Sequence, residues 1–366
     1  MMNLAEYRRT ASRLADYLPW VALVGFGVVL NKDGSFQRTA KFRGPDLDSA
    51  VAAELVAVAG RLNNAFRRLG SGWAIFVEAQ RSEAATYPAS RFPDPASALV
   101  DAERKADFEE KGSHFVSGYF LPFLWLPPAE DAARSESWLY EGRETSSVNP
   151  WELVRGFADR TDRVLALLDG FMPECRWLDD AGTLTYLHST ISINRHRVRV
   201  PETPTYLDAL LADQPLTGGL EPRLGNQHLR VLTITGFPAT TTPGLLDEMN
   251  RLAFPYRWST RAILMDKTDA TRLLTKIRRQ WFAKRKSIAA ILKEVMTNEQ
   301  SALVDTDAAN KAADADMALQ ELGADMAGMA YVTATVTVWD EDARRADEKL
   351  RLVEKIIQSR DFSVMV

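Results

Sequence analysis

The chain has 366 residues, 46% of them hydrophobic and 26% charged, which is the make-up of an ordinary globular protein with apolar surface enough for two or three domains. A formal net charge of −4 argues against a molecule drawn as a whole to nucleic acid or anionic lipid. Its one cysteine, Cys175, excludes an intramolecular disulfide framework and suits a reducing compartment; no nucleophile signature flanks it.

In chain order, the mixed-charge amphipathic helix LAEYRRTASRLADYL leads into the apolar run YLPWVALVGFGVVL, residues 17–30. That run is too short to span a bilayer, contains Pro19 and ends on the turn signal NKDG; no small-residue cleavage site follows it. A cytoplasmic chain is expected. GVVLNKDGSFQRTAKFRG reads as a hairpin about Asp33-Gly34. A helix follows from Leu47 to about Leu69, with Val51, Leu55, Val58, Leu62 and Phe66 on one stripe and Gly70 as its stop. WAIFVEAQ is the next strand, and a helix is expected near 96–111. HFVSGYFLPFLWLPP is a strand apolar on both faces, so buried on two sides or in contact with a partner, and Pro122 places it at an edge or beside a bulge.

Residues 129–149 turn abruptly polar and read as a linker or mobile loop, with Trp138 and Tyr140 as docking points. A helix opens at Pro150 and runs to about Phe171; TLTYLHSTISINRH carries both strand and helix signals. From His228 the pattern is regular. LRVLTITGFP and YRWSTRAILMD are strands, and a long helical tract runs from 269 to about 322. YVTATVTVW alternates strictly, and the last helix carries Ala346, Leu350, Val353 and Ile357 on one face. The final SVMV is either the opening strand of a following region or a last strand added to the second sheet. The two halves rhyme, which gives an α+β fold of two subdomains of split βαβ character with mixed sheets and a long helical arm: residues 1–128, and 150–366 after the 129–149 linker.

Motifs for chemistry are sparse. The sequence has no Gly-Lys pair, which excludes a Walker A loop, and the glycines of RRLGSGWAIF run from helix to strand, the reverse of a phosphate cradle. The four histidines lack zinc-site spacing, and DTDAANKAADAD lacks the Gly and Glu of a calcium loop. Ser/His/Asp and Cys/His triads remain open on sequence, though no nucleophile-elbow motif accompanies them. Neither catalytic residues nor a resident cofactor or metal is expected.

The one feature above background is RLLTKIRRQWFAKRKSIAAILK, residues 272–293, which is strongly basic without an acidic residue; Leu274, Ile277, Trp281, Ile288 and Leu292 form its apolar stripe. Either its charges are a solubilising face balanced elsewhere, or Arg278, Arg279, Lys284, Arg285 and Lys286 meet an anionic partner: acidic protein, lipid headgroup or nucleic acid. Trp20, Phe123 and Trp125, with Trp138 and Tyr140, are the candidate apolar docking residues.

GVVLNKDGSFQRTAKFRGPDL and LNNAFRRLGSGWAIFVEAQR, then ITGFPATTTPGLLDEMNRLAFPYRWSTRAILMD, RQWFAKRKS and VDTDAANKAADADMALQELG, resemble the N-terminal region of TrbE-type conjugal-transfer ATPases, of the CagE/TrbE/VirB family of type IV secretion motors. The resemblance covers essentially the whole chain. It implies an N-terminal half whose motor domain, with its ATP and Mg, lies beyond the sequence in hand. It further implies a non-enzymatic docking and assembly role at the cytoplasmic face of the inner membrane, with channel subunits and other copies of the ATPase, in a hexamer, as partners. The alternative is a nucleic-acid-binding domain that engages transferred DNA through residues 272–293.

Overall fold

Asp33-Gly34 turns the chain as its residue types require. Gly34 takes a φ of 80°, and the Asn31 amide donates to the Ser35 carbonyl at 2.8 Å. The turn joins β2 (Val28–Asn31) to β3 (Phe36–Arg43), and β1 (Trp20–Gly25) pairs antiparallel with β2. The computed structural model of the chain describes residues 13–46, 49–84, 87–109, 114–128, 150–238, 240–285 and 306–366.

Among the described residues the remaining strands are β4 (Trp73–Glu83), β5 (Phe115–Trp125), β6 (Glu174–Trp177), β7 (Leu216–Thr217), β8 (Arg223–Leu224), β9 (Gln227–Gly236), β10 (Tyr256–Met265), β11 (Met329–Asp340) and β12 (Ser363–Met365). The helices are α1 (Leu14–Tyr17), α2 (Ala52–Phe66), α3 (Pro95–Glu109), α4 (Pro150–Asp169), α5 (Asp180–Ile191), α6 (Leu207–Leu211), α7 (Lys267–Arg285), α8 (Thr306–Gly323) and α9 (Ala343–Gln358). The fold is α+β, as expected. All strands join one sheet, in the order β1-β2-β3-β5-β4-β10-β11-β9-β8-β7, with β6 beside β3 and β12 beside β9. Pairing of β4 with β10 unites strands from both halves of the sequence and leaves neither as an exposed edge.

The chain forms two compact units: residues 1–56, 74–262 and 332–366 make the first, and 57–73 with 263–331 the second. Sequence on either side of 129–149 therefore shares the first unit, where β6 returns to pair with β3 in the register Phe42 to Cys175. The segment 129–149 lies outside the described residues.

Three apolar assemblies hold the first unit together. The stripe foreseen on α9 is buried, with Val353, Ile357 and Ala346 fully covered against Leu232, Val336 and Val338 of β9 and β11. Each such aliphatic side chain contributes roughly 1.5–3 kcal/mol. Asp342 caps that helix by accepting from the Arg344 amide at 2.7 Å. A second assembly joins Leu14, Trp20 and Val29 to Leu184 and Leu187 of α5 and Leu207 and Leu211 of α6. In the third, Trp125 stacks on Phe36 and on Phe157 of α4, at 6.3 and 6.2 Å between ring centres.

Two ambiguities are resolved by packing. TLTYLHSTISINRH is helical as far as Ile191, because Asp179 caps the Gly182 amide at 2.6 Å and Leu184, Tyr186 and Leu187 face the core. The final strand pairs antiparallel with β9, Val364 opposite Ile234. One expectation is corrected. β5 is neither an edge nor, against β3, bulged; it lies between β3 and β4, with Pro122 opposite Thr39. The Thr39 carbonyl points away and accepts from the Leu178 amide at 3.0 Å, so on that side Pro122 occupies a position where no N–H is called for.

In the second unit the expected helical tract appears as α7 and α8 packed on one another, with residues 286–305 outside the described set. Arg278 pairs with Asp316 at 2.8 Å, and the Lys311 ammonium lies 4.5 Å from the centre of the Trp281 ring. Lys267 at the start of α7 bonds the last carbonyl of α8, Gly323, at 3.0 Å and pairs with Asp325 at 2.7 Å.

Candidate docking surfaces

The polar clusters that could pass for catalytic sites are structural in their geometry. On the sheet of the first unit, Glu78 of β4 is buried and receives Arg257 of β10 on both oxygens at 2.7 Å. Tyr186 of α5 donates to the same carboxylate at 2.8 Å, and burial together with that negative charge pushes its phenol well above the usual range. Every strong donor around Glu78 is thus already spent on it. Near the end of α5, His188, Asp213 and Ser192 supply the residue types of a triad. Both His188 Nε2, at 3.0 Å, and Ser192 Oγ, at 3.1 Å, converge on Asp213 Oδ2. The histidine therefore does not bridge serine to aspartate, which nucleophilic catalysis would need. Cys175 is buried, and burial, aided by Asp169, pushes its thiol up to about 11, the reverse of an activated nucleophile.

No group of three or more His, Cys, Asp or Glu side chains among the described residues is arranged for a metal ion. The glycines of 67–73 do not fit a triphosphate. They lie in the loop between α2 and β4, Gly72 takes a φ of 87° to make the turn, and the amides lead into a strand instead of opening a helix. No helix among the described residues is long and apolar enough to cross a membrane.

Two surface features stand apart. At the tip of the β1–β2 hairpin, Gly25, Phe26 and Gly27 take φ values of 99°, 57° and 69°. The glycines adopt that region at little cost; a phenylalanine there is strained by roughly 1–2 kcal/mol. Its ring is nevertheless 70% exposed. The tip is held from behind, because the Gly27 amide donates to Asp180 at 2.7 Å and a Cβ on Gly27 would collide with the Leu178 carbonyl.

In the second unit, one long face of α7 presents Thr271, Arg272, Thr275, Lys276, Arg279 and Gln280, residues three and four apart. Arg272 pairs with Asp269 at 2.9 Å. Among the described residues neither Lys276 nor Arg279 makes an ion pair.

The residues singled out in the sequence fare unequally. Arg278 is engaged by Asp316, whereas Arg279 is exposed on the cationic face. Lys284 and Arg285 belong to the last turn of α7, and Lys286 lies outside the described residues, as do Trp138 and Tyr140. Trp20, Phe123 and Trp125 are corrected as docking residues, since all three are buried in the first unit. An apolar run reads alike whether the fold or a partner covers it, and here the fold does. Phe26 escaped notice because its conformation is invisible in sequence, although a lone aromatic between two glycines next to a strand is a readable sign. A third feature, the basic alternation RHRVR at 195–199, was legible and passed over.

Residues 27–133 match the family model for the N-terminal domain of the type IV secretion system ATPase VirB4/TrbE. The whole chain is 31% identical, over 383 aligned residues, to a conjugal transfer protein TrbE of Rhizobium radiobacter and covers 46% of that protein. In Sinorhizobium fredii a probable conjugal transfer protein TrbE is divided between two polypeptides, and both are similar to this chain. The first of them is 39% identical over 130 residues, 35% of this chain and 87% of that relative. The second is 29% identical over 183 residues, half of this chain and 27% of its own length. The chain belongs to the VirB4/TrbE family of type IV secretion ATPases, as a TrbE-type N-terminal region. It spans about half the length of the Rhizobium relative.

Proposed function

We propose that this chain is a non-catalytic docking and assembly region of a conjugal-transfer ATPase, peripheral at the inner membrane, that anchors the motor to membrane subunits of a type IV secretion channel and to other copies of the ATPase. ATP and Mg are handled elsewhere in the full-length protein. The observation that carries the reading is Phe26: an exposed aromatic ring kept at a conformational cost has a use only if something covers it. Family membership supplies the setting.

Phe26→Asn tests it. Asparagine tolerates positive φ, so the variant is expected to be as stable as the parent or more so, by up to about 1 kcal/mol. It should nevertheless fail to co-purify with the membrane components of a conjugation channel. Undiminished co-purification rejects the tip as a contact. Saturable micromolar heat on titrating this chain with ATP and magnesium would count against the non-catalytic role.

The cationic face of α7 favours a second reading, engagement of transferred DNA. Lys276→Glu with Arg279→Glu should then lower single-stranded DNA affinity and flatten its salt dependence by about two in slope. No binding at low salt removes it.

A further inference from the structure

After α5 the chain doubles back along that helix and runs without turn or bend from Asn194 to Val200. Its sequence there is NRHRVRV. Residues 196 and 198 are tied to the protein. The His196 ring stacks 4.5 Å from that of buried His188, and Val198 packs against the core at α5 while its amide donates to Thr185 Oγ1 at 3.0 Å. The alternate residues Arg195, Arg197 and Arg199 are exposed. Arg195 reaches Gln80 at 3.1 Å, and none of the three forms an ion pair among the described residues. The nearby Asp213 carboxylate is taken by His188, Ser192 and Asn194.

The backbone is as open as the side chains. Apart from the Asn194 and Val198 amides, no backbone N–H or C=O between 194 and 200 bonds another described group of the protein. The segment therefore has the form of an unpaired strand with a guanidinium on every second residue, about 7 Å apart.

We infer that residues 195–199 dock an extended acidic protein segment, added as a strand, whose carboxylates on alternate residues meet Arg195, Arg197 and Arg199. The repeat of an added strand equals that of the arginine ladder, so each carboxylate falls opposite one guanidinium, in the planar geometry that pair prefers. Nucleic acid fits less well. It has no donors to offer the open carbonyls, which would face phosphates, and the one ring in the segment, His196, is already stacked. The inference deepens the docking reading by giving the chemistry of one partner, and it rests on that reading.

The probe is a fluorescein-labelled, acetylated nonapeptide alternating Glu and Thr. A Gln/Thr version, an oligo-dT twenty-mer and phosphatidylglycerol vesicles serve as comparators, with anisotropy or co-sedimentation at low salt as readout. The Glu/Thr peptide should bind in preference to its Gln/Thr counterpart and slow amide exchange at 195–200. Arg197→Glu with Arg199→Glu should weaken it at least tenfold at an unchanged Tm; if that variant folds poorly, Arg197→Gln with Arg199→Gln should weaken it several-fold. Binding unaffected by either variant overturns the proposal. So does ladder-dependent binding of the oligonucleotide or vesicles without binding of the peptide. Loss of channel co-purification in Phe26→Asn is scored separately, so a failed ladder and a failed docking role are told apart.

Discussion

Glu78→Leu tests how the first unit is held together. In the folded chain this carboxylate, with its side chain 5% accessible, accepts both bonds from Arg257 Nη2 at 2.7 Å, one from Tyr186 at 2.8 Å and a weaker one from Ser259 at 3.3 Å. Removing it leaves a guanidinium that keeps only the Thr190 carbonyl at 2.8 Å, and a phenol without an acceptor. Breaking a buried ion pair costs about 3–5 kcal/mol. The Arg257 side chain is 22% accessible, so water relieves some of that, and the low end applies. The orphaned phenol adds about 1 kcal/mol, for a total near 3–4 kcal/mol. With an m value of about 3 kcal/mol/M, the urea midpoint followed by tryptophan fluorescence should fall by roughly 1 M. Glu78→Leu combined with Arg257→Met removes both charges and should recover most of the loss. A single variant that costs under about 1 kcal/mol, or a double variant no better than the worse single one, would refute the reasoning.

Cys175 should resist alkylation at pH 8 in the native state and react readily in denaturant, since a thiol pushed up to about 11 carries almost no thiolate there; comparable rates would contradict its buried setting. Gly27→Ala should cost about 2–3 kcal/mol in thermal or urea unfolding, because the added methyl meets the Leu178 carbonyl at a φ of 69°. A neutral outcome would mean that the hairpin tip can shift freely. Asp340 ties β11 to α9 by pairing with Lys349 at 2.7 Å. Burial pushes its carboxyl up, but Lys349, the Asp342 amide and Arg345 together hold it below its ordinary 3.8. A folded value below the unfolded one gives stability that is present above about pH 4 and lost as pH falls through the folded value. Asp340→Asn should thus lower stability at pH 7 and shrink its acid dependence, whereas parallel pH profiles of the two proteins would be inconsistent with that coupling.

Local physics was readable where local physics decides. The Asp33-Gly34 turn, the α9 stripe and the alternation of β11 depend on near neighbours alone, and each appears where periodicity and turn chemistry place it. Three-dimensional packing was needed wherever distant segments choose each other. The return of β6 to β3 and the joining of β4 to β10 bring together residues more than a hundred positions apart, and no period in a sequence encodes such a partner. The same packing turned Trp20, Phe123 and Trp125 from apparent contact residues into core. It also left Phe26 and the arginines of 195–199 on the surface. A side chain's hydrophobicity or charge is written in the sequence, but what covers it is a property of the whole fold.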